Sequence, residues 1–392
     1  MMKLKGMKRM QGPTWLNRLT PARAGPISHR SHCGLLGLAL GVVLLLPLLM
    51  RSGTLASEVL IYALAAMGCN LLLGYTGLLS FGQGIFFGLG SYTLALLLTR
   101  FSLSFAVAVP MPLALLGATA MGALGAGAVG WIAIRQRGTY FVMLTLACAQ
   151  MFYFLAYTAT GLTGGDNGLL DVPRPALSAF GVTLLALKTP WQYYGFVAAV
   201  FLGALAVLLR VSDSIFGRTL LAIRDNEVRA AAVGYNVRTF KLRVFMISGA
   251  VTGLAGGLHA LLTGIAPLAN AEYHTSEMIL VMTVIGGAGN LFASLLGAAV
   301  YVLMGDWLAT LWPRWLLLLG LLLIGVSLSL QRGLWGLAQS LWAALPARRA
   351  AATAAATAAA EAALPVPVPS PSPLPMPLPS PLPSPLPSRL TP

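Results

Sequence analysis

The residues able to do chemistry in this sequence are few and poorly grouped. Only ten acidic residues occur in 392: Glu58, Asp166, Asp171, Asp213, Asp225, Glu227, Glu272, Glu277, Asp306 and Glu361. Each falls in an expected loop or near the end of an apolar run, so no carboxylate pair is placed to relay protons or hold a coupling ion at membrane depth. Neither HExxH nor GxSxG occurs, which removes the zinc-protease and serine-hydrolase chemistries. None of Lys3, Lys5, Lys8, Lys188 or Lys241 follows a glycine, so the chain lacks the Gly-Lys-Ser/Thr turn that cradles nucleotide phosphates. Cys33, Cys69 and Cys148 lack CxxC spacing and read as small packing residues, without redox or metal duty. His259 stands alone well inside an apolar run. It suits either a hydrogen bond between helices or contact with a solute.

Two groups of polar residues stand out against this background. Gln83 and Gln150 lie in apolar runs, where an unpaired amide is costly. Each therefore ties helices together or faces a wet path, with Tyr92, Tyr140 and Thr145 near them in sequence. The second group is the loop 211–242, which holds acids and bases together. Ser212, Asp213 and Ser214 offer a helix start, Arg218–Val233 reads as one helix, and Gly234 suits its end. Asp225 and Arg229 stand four apart with the acid first, the favourable order on a helix. Leu220, Ile223 and Ala230–Ala232 give it an apolar side. A helix docked on a partner and a helix lying on a membrane surface both fit that pattern.

The elements that position these residues follow from composition. The chain is 57% hydrophobic and 9% charged, against roughly a quarter charged in an ordinary soluble domain. A bilayer is crossed by roughly 20 apolar residues in a helix. About ten such spans fit, near Gly34–Met50, Ala56–Leu73, Phe81–Thr99, Phe105–Ile134, Thr139–Thr160, Tyr193–Leu209, Val244–Ile265, Ser276–Ile285, Leu291–Leu311 and Trp315–Leu330. Ser276–Ile285 is short for a crossing and Phe105–Ile134 is long, so both boundaries are expected to shift. The fold class is all-α, a polytopic helix bundle in a lipid bilayer.

Basic residues stay preferentially on the cytoplasmic side. With the N-terminus inside, 20 basic residues face the cytoplasm and Arg51, Arg100, Arg174, Lys188 and Arg314 face out. Ten crossings then return both termini to the cytoplasm. The net charge of +15 needs no nucleic acid, because no basic stripe interleaved with aromatics is present.

Residues 1–33 are basic and free of acids. A transit peptide shares that composition, but a cytoplasmic tail or an upstream mis-assigned start accounts for it more simply. The run Gly34–Met50 resembles a signal h-region without a convincing cleavage site and is expected to be an anchor. The membrane-spanning body is expected at 34–336. Residues 337–392 are rich in Ala and then alternate Pro with Ser, Leu or Val, which favours a largely disordered cytoplasmic tail.

Glycines are also patterned. Ala118, Gly122, Ala126 and Gly130 on one run, and Gly249, Gly253 and Gly257 on another, repeat every four residues and let helix backbones approach. Gly82, Gly84, Gly88 and Gly90 imply a break or a very close crossing. Gly286, Gly287, Gly289 and Asn290 form a second interruption, of the kind transporters place at binding sites.

The segment Gly217–Gly257, GRTLLAIRDNEVRAAAVGYNVRTFKLRVFMISGAVTGLAGG, resembles the coupling loop and following span of permeases of the branched-chain amino acid type of ABC importer. GYTGLLSFGQGIFFGLGSY at Gly74–Tyr92, RGTYFVMLTLACAQMFYF at Arg137–Phe154 and TGGDNGL at Thr163–Leu169 resemble the same family. The likeness runs from about Ala56 to Gly336. It implies a multi-pass subunit of a bacterial inner membrane, a companion permease forming a heterodimer, two cytoplasmic ATPases that bind ATP and Mg, and a periplasmic binding protein. This chain would then carry no cofactor and no catalytic residue. Carried onto this sequence, the ATPase-coupling motif is Gly217, Arg218, Ala222, Arg224, Asp225, Asn226, Glu227 and Gly234. The expected solutes are branched-chain or other hydrophobic amino acids, with urea, short amides and aromatic acids as alternatives. A passive channel or a sodium-coupled carrier is the alternative of another class.

Overall fold

A computed structural model describes residues 37, 39–47, 50, 52–101, 110–174, 177–179, 182–185, 189–311, 314, 317–318, 320–321, 324–325 and 333–336. The expected basic segment 1–33, the tail 337–392, residues 105–109 and most of the run Trp315–Leu330 lie outside them. A helical stretch at 39–47 occupies the first expected span. The main helices are α1 (Gly53–Thr76), α2 (Gln83–Leu96), α3 (Met111–Ala133), α4 (Thr139–Thr158), α5 (Pro190–Asp213), α6 (Ile215–Asp225), α7 (Glu227–Ala232), α8 (Val237–Thr263), α9 (Tyr273–Gly286) and α10 (Leu291–Leu311).

Among the described residues, α1, α3, α4, α5, α8 and α10 are long and apolar enough to cross a membrane. At 1.5 Å per residue, the 23 residues of α3 span roughly 35 Å, which removes the excess length expected of Phe105–Ile134. The 14 residues of α9 reach only roughly 21 Å, short of a full crossing as the sequence implies. α2 also has 14 residues, but a π-helical turn, Leu97–Phe101, carries it on.

A two-stranded antiparallel hairpin, Leu177–Ala179 with Val182–Leu185, departs from the all-helical expectation. It lies in the connection between α4 and α5. The preceding TGGDNGL stretch turns on Gly164, Gly165 and Gly168, all with positive φ, and Leu169 pairs with Ala266 through two backbone hydrogen bonds of 2.8 and 3.0 Å.

α1 is the core helix, with side chains buried around almost its whole circumference. α3 and α4 bury one narrow stripe each and expose the rest. The small-residue seams work as backbone-to-backbone junctions. A Cβ on Gly122 would strike the Gly249 carbonyl, one on Gly90 the Gly253 carbonyl, and one on Gly256 the Phe87 carbonyl. The glycines of α2 therefore mark a close crossing without a break, since α2 runs unbroken from Gln83 to Leu96. The second glycine cluster does break the chain: α9 ends at Gly286, and Gly287 and Gly289 take φ of 116° and 104° before α10 starts.

Buried polar side chains tie these helices by hydrogen bonds that an apolar surround makes costly to lose. Tyr193 donates to the Leu258 carbonyl at 2.6 Å and Thr283 to the Ala66 carbonyl at 3.2 Å. Asn270 donates to Ser91 at 3.0 Å and lies 3.3 Å from His259 Nδ1. His259 is thus a helix tie, stacked in a tilted cluster with Tyr62 and Phe87.

Candidate functional site

The loop 211–242 folds as an elbow and two short helices. α5 runs through to Asp213, past the helix start read from the sequence. Ser214 turns the chain and accepts a hydrogen bond from the Gly217 amide at 3.4 Å, capping α6. Gly217 packs its α-carbon directly on the Ser212 carbonyl, where any Cβ would collide. Only glycine closes this elbow.

The single helix expected at Arg218–Val233 is corrected by the structure to two. Asn226 takes an extended backbone, φ −161° and ψ 104°, and its side chain accepts from the Arg229 amide at 2.9 Å. A local cap of this kind competes with helix continuation, and it wins here. Asp225 and Arg229 consequently sit on different helices, so the expected i,i+4 pairing does not apply. Gly234 ends α7 with φ of 100°, as its residue type implies. Asn236 then caps α8 by accepting from the Thr239 amide at 3.4 Å.

Three attachments fix this unit to the bundle. Leu220 and Ile223 are fully buried. The Arg224 guanidinium donates to the Gly74 carbonyl at the end of α1. Glu227 pairs with Lys241, whose side chain is 7% exposed, and stands 4.0 Å from Arg137. Of the expected motif, Gly217 is buried, Arg224 and Glu227 are half-buried, and Arg218, Ala222, Asp225, Asn226 and Gly234 are exposed. Ile215, Val228 and Val233 are each more than 70% exposed beside them, which leaves an apolar outer face on the elbow.

Behind Arg224 lies a second junction. Gly74 packs on the Gly289 backbone so closely that a Cβ there would overlap it. Four residues earlier on α1, Asn70 donates to the Asn290 carbonyl at 2.7 Å and Ser294 Oγ at 2.8 Å, and accepts from the Gly289 amide at 2.8 Å. The side chain is fully buried. The elbow is thus connected through the end of α1 to the break between α9 and α10. Sequence reading missed Asn70, Lys241 and Arg137. A lone Asn in an apolar run was the available signal for the first; the others depend on a fold that brings distant residues together.

The structure separates the five residues read as path candidates. Gln83 is fully buried, donates to Ser248 at 3.1 Å and accepts from Thr252 at 2.8 Å, joining α2 to α8. Thr145 accepts from the Phe81 amide at 3.3 Å. Tyr92 is buried, and its hydroxyl has no hydrogen-bond partner among the described residues. Tyr140 and Gln150 face outward from α4, beside exposed Met143, Met151 and Phe154. A cysteine at position 83 is expected to stay inert to a small water-soluble thiol reagent. Labelling of the single-cysteine chain in membranes checks this, and ready modification would refute the tie.

Comparison with known proteins meets this geometry at the same residues. The family described as branched-chain amino acid transport system / permease component matches residues 53–328, which takes in the elbow, both glycine junctions and all the long helices. The chain belongs to that family. Among relatives of this permease family, the high-affinity branched-chain amino acid transport system permease protein LivM of Escherichia coli K12 is 30% identical over 350 residues, covering 84% of this chain and 80% of the relative. LivM of Salmonella typhimurium is 29% identical over 308 residues, 74% of this chain and 71% of the relative. A probable branched-chain amino acid transport permease protein LivH of Methanocaldococcus jannaschii is 23% identical over 251 residues, 60% and 73% of the two chains. No solved structure gives a significant match.

In this chain the Glu227–Lys241 bond explains how the second short helix is held. K241M is expected to release α7 while leaving the bundle folded, because a charged hydrogen bond contributes roughly 1.5–3 kcal/mol. Faster proteolytic cleavage within 215–236 at unchanged thermal stability of the remainder is the expected reading.

Proposed function

We propose that this chain is the membrane-spanning subunit of an ATP-driven importer of branched-chain amino acids in a bacterial inner membrane, with about ten spans and both termini in the cytoplasm. The observation that carries the reading is the elbow at 211–242. It is a capped pair of helices with an apolar outer face, anchored by Arg224 and Glu227, on a chain whose sequence has no P-loop. A transmitting element needs a rigid body, a free face for its driver and a firm hold on the bundle; the elbow has all three. The driver is a pair of ATPase subunits holding ATP and Mg, a companion permease completes the path, and a binding protein delivers the solute. The naming of the relatives supports branched-chain amino acids over urea, amides or aromatic acids.

Gln150, on the exposed face of α4, borders the path between the two permeases in this reading, with Tyr140 on the same helix. The deciding experiment is uptake into proteoliposomes that contain the full complex. Leucine uptake is expected to require ATP and the binding protein, and to be competed by isoleucine and valine. Leucine entry without ATP would overturn the importer assignment, and uptake of urea in place of leucine would overturn the solute. In the same vesicles a cysteine at position 150 is expected to react with a water-soluble reagent more slowly when leucine is present.

A further inference from the structure

The cytoplasmic-loop end of the bundle carries a cleft that the coupling geometry does not use. It measures about 210 Å³ and lies between the end of α3 and the first turns of α8, lined by Trp131, Ile134, Arg135, Arg238, Thr239 and Leu242. At roughly 30 Å³ per water, it takes several waters or one phosphodiester group. Its chemistry is divided. Ile134 and Leu242 form an apolar floor, whereas Arg135 and Arg238 stand at the rim and are exposed.

We propose that this cleft binds the headgroup of an anionic phospholipid, with Arg135 and Arg238 on the phosphate. Four observations carry it. Among the described residues neither arginine pairs with a carboxylate; Glu227, on the neighbouring α7, is taken by Lys241 and Arg137. Two unpaired guanidiniums converge on one opening, a geometry suited to phosphate oxygens. The Arg135 guanidinium is held 4.5 Å from the Trp131 ring centroid, a cation–π arrangement that keeps it pointed along the cleft instead of free in solvent.

The depth identifies a lipid over a free anion. Helix α3 is apolar through Ala133 and meets its first charge at Arg135, so the cleft lies where hydrocarbon gives way to headgroups. Trp131 is 62% exposed there, and Leu124, 61% exposed, stands seven residues back on the same face, roughly 10 Å toward the bilayer centre. An acyl chain attached to a phosphate in the cleft would run along these two side chains. Tryptophan at the interface and basic pockets between helix ends are the general means of holding such lipids. This inference stands independently of the solute and of the ATPase.

The test uses the full chain purified in mild detergent from membranes containing phosphatidylglycerol, with retained lipid measured by native mass spectrometry. The wild type is expected to keep a phosphatidylglycerol adduct that the R135Q/R238Q double variant loses by roughly tenfold or more, in line with the attraction of each basic group for an anionic surface. R210Q, which removes an exposed charge outside the cleft, is expected to keep it. Gel filtration confirms that all three remain folded, since the substituted side chains are exposed. Equal retention by wild type and double variant would overturn the proposal, as would the same loss in R210Q. Displacement of the adduct by inorganic phosphate would make the site a free-anion site, and loss of ATPase co-purification without any change in lipid would make it a protein contact; either result refutes the lipid.

Discussion

Exchange of Arg224 for glutamate is expected to reduce substrate-stimulated ATP hydrolysis and uptake by the reconstituted complex at least roughly tenfold. Arg224 is the charged link between α6 and the bundle, donating to the Gly74 carbonyl beside the Gly289 backbone. A hydrogen bond from a charged donor contributes roughly 1.5–3 kcal/mol. Glutamate removes it and sets a carboxylate against a carbonyl oxygen. R224K keeps the charge but loses the planar fork, so an intermediate activity is expected. N70L tests the next link, since it removes the hydrogen bonds to Asn290, Ser294 and Gly289 and keeps the branched shape and heavy-atom count of the side chain. If the junction transmits motion, N70L retains the ATPase on co-purification and loses the response to substrate. Gly234 supplies a milder case. No atom lies within 4 Å of a Cβ built there, so G234V acts through its φ of 100° alone, at a cost of roughly 1–3 kcal/mol. Normal coupling in both R224E and G234V would sink the assignment of 211–242 as the transmitting element.

The second large effect concerns assembly. G256V is expected to prevent the bundle from forming, with little chain surviving in the membrane. A Cβ at Gly256 would overlap the carbonyl of Phe87 and crowd its carbonyl carbon and Cα. These are backbone atoms of α2, and no rotamer change moves them. Relief requires separating α2 from α8, which also breaks the Gln83 hydrogen bonds to Ser248 and Thr252 and parts Gly90 from Gly253. The loss is expected to exceed roughly 4 kcal/mol, the range reserved for a few mechanisms such as core overpacking. G195V and G203V on α5 are the controls, because a Cβ at either meets nothing within 4 Å. Thermal denaturation of the detergent-solubilised variants gives the comparison. Equal stability of G256V and G203V would disprove the junction.

Much of this was legible along the chain. The apolar runs placed the long helices because a span must be apolar over a fixed length, whatever it packs against. Gly234 was readable as a helix end because its requirement for positive φ is local. The four-residue spacing of small residues, Ala118 to Gly130 on one run and Gly249 to Gly257 on another, announced a seam. It did not announce which helices share it.

What the sequence determined by itself was therefore whatever depends on one residue and its near neighbours: apolar length, caps, turn glycines and the absence of a nucleotide-binding motif. What only the tertiary structure decided was pairing. The break at Asn226 follows from a competition between a local cap and helix continuation, two outcomes close in energy that the surrounding packing selects. Gln83 became a tie and Gln150 a surface residue although both are amides in apolar runs, because α2 is enclosed by α8 whereas α4 buries only a narrow stripe. Asn70 and Asn290 are 220 residues apart. Their hydrogen bond exists because the break between α9 and α10 leaves backbone groups such as the Gly289 amide outside any helix, and the fold brings the Asn70 side chain to them.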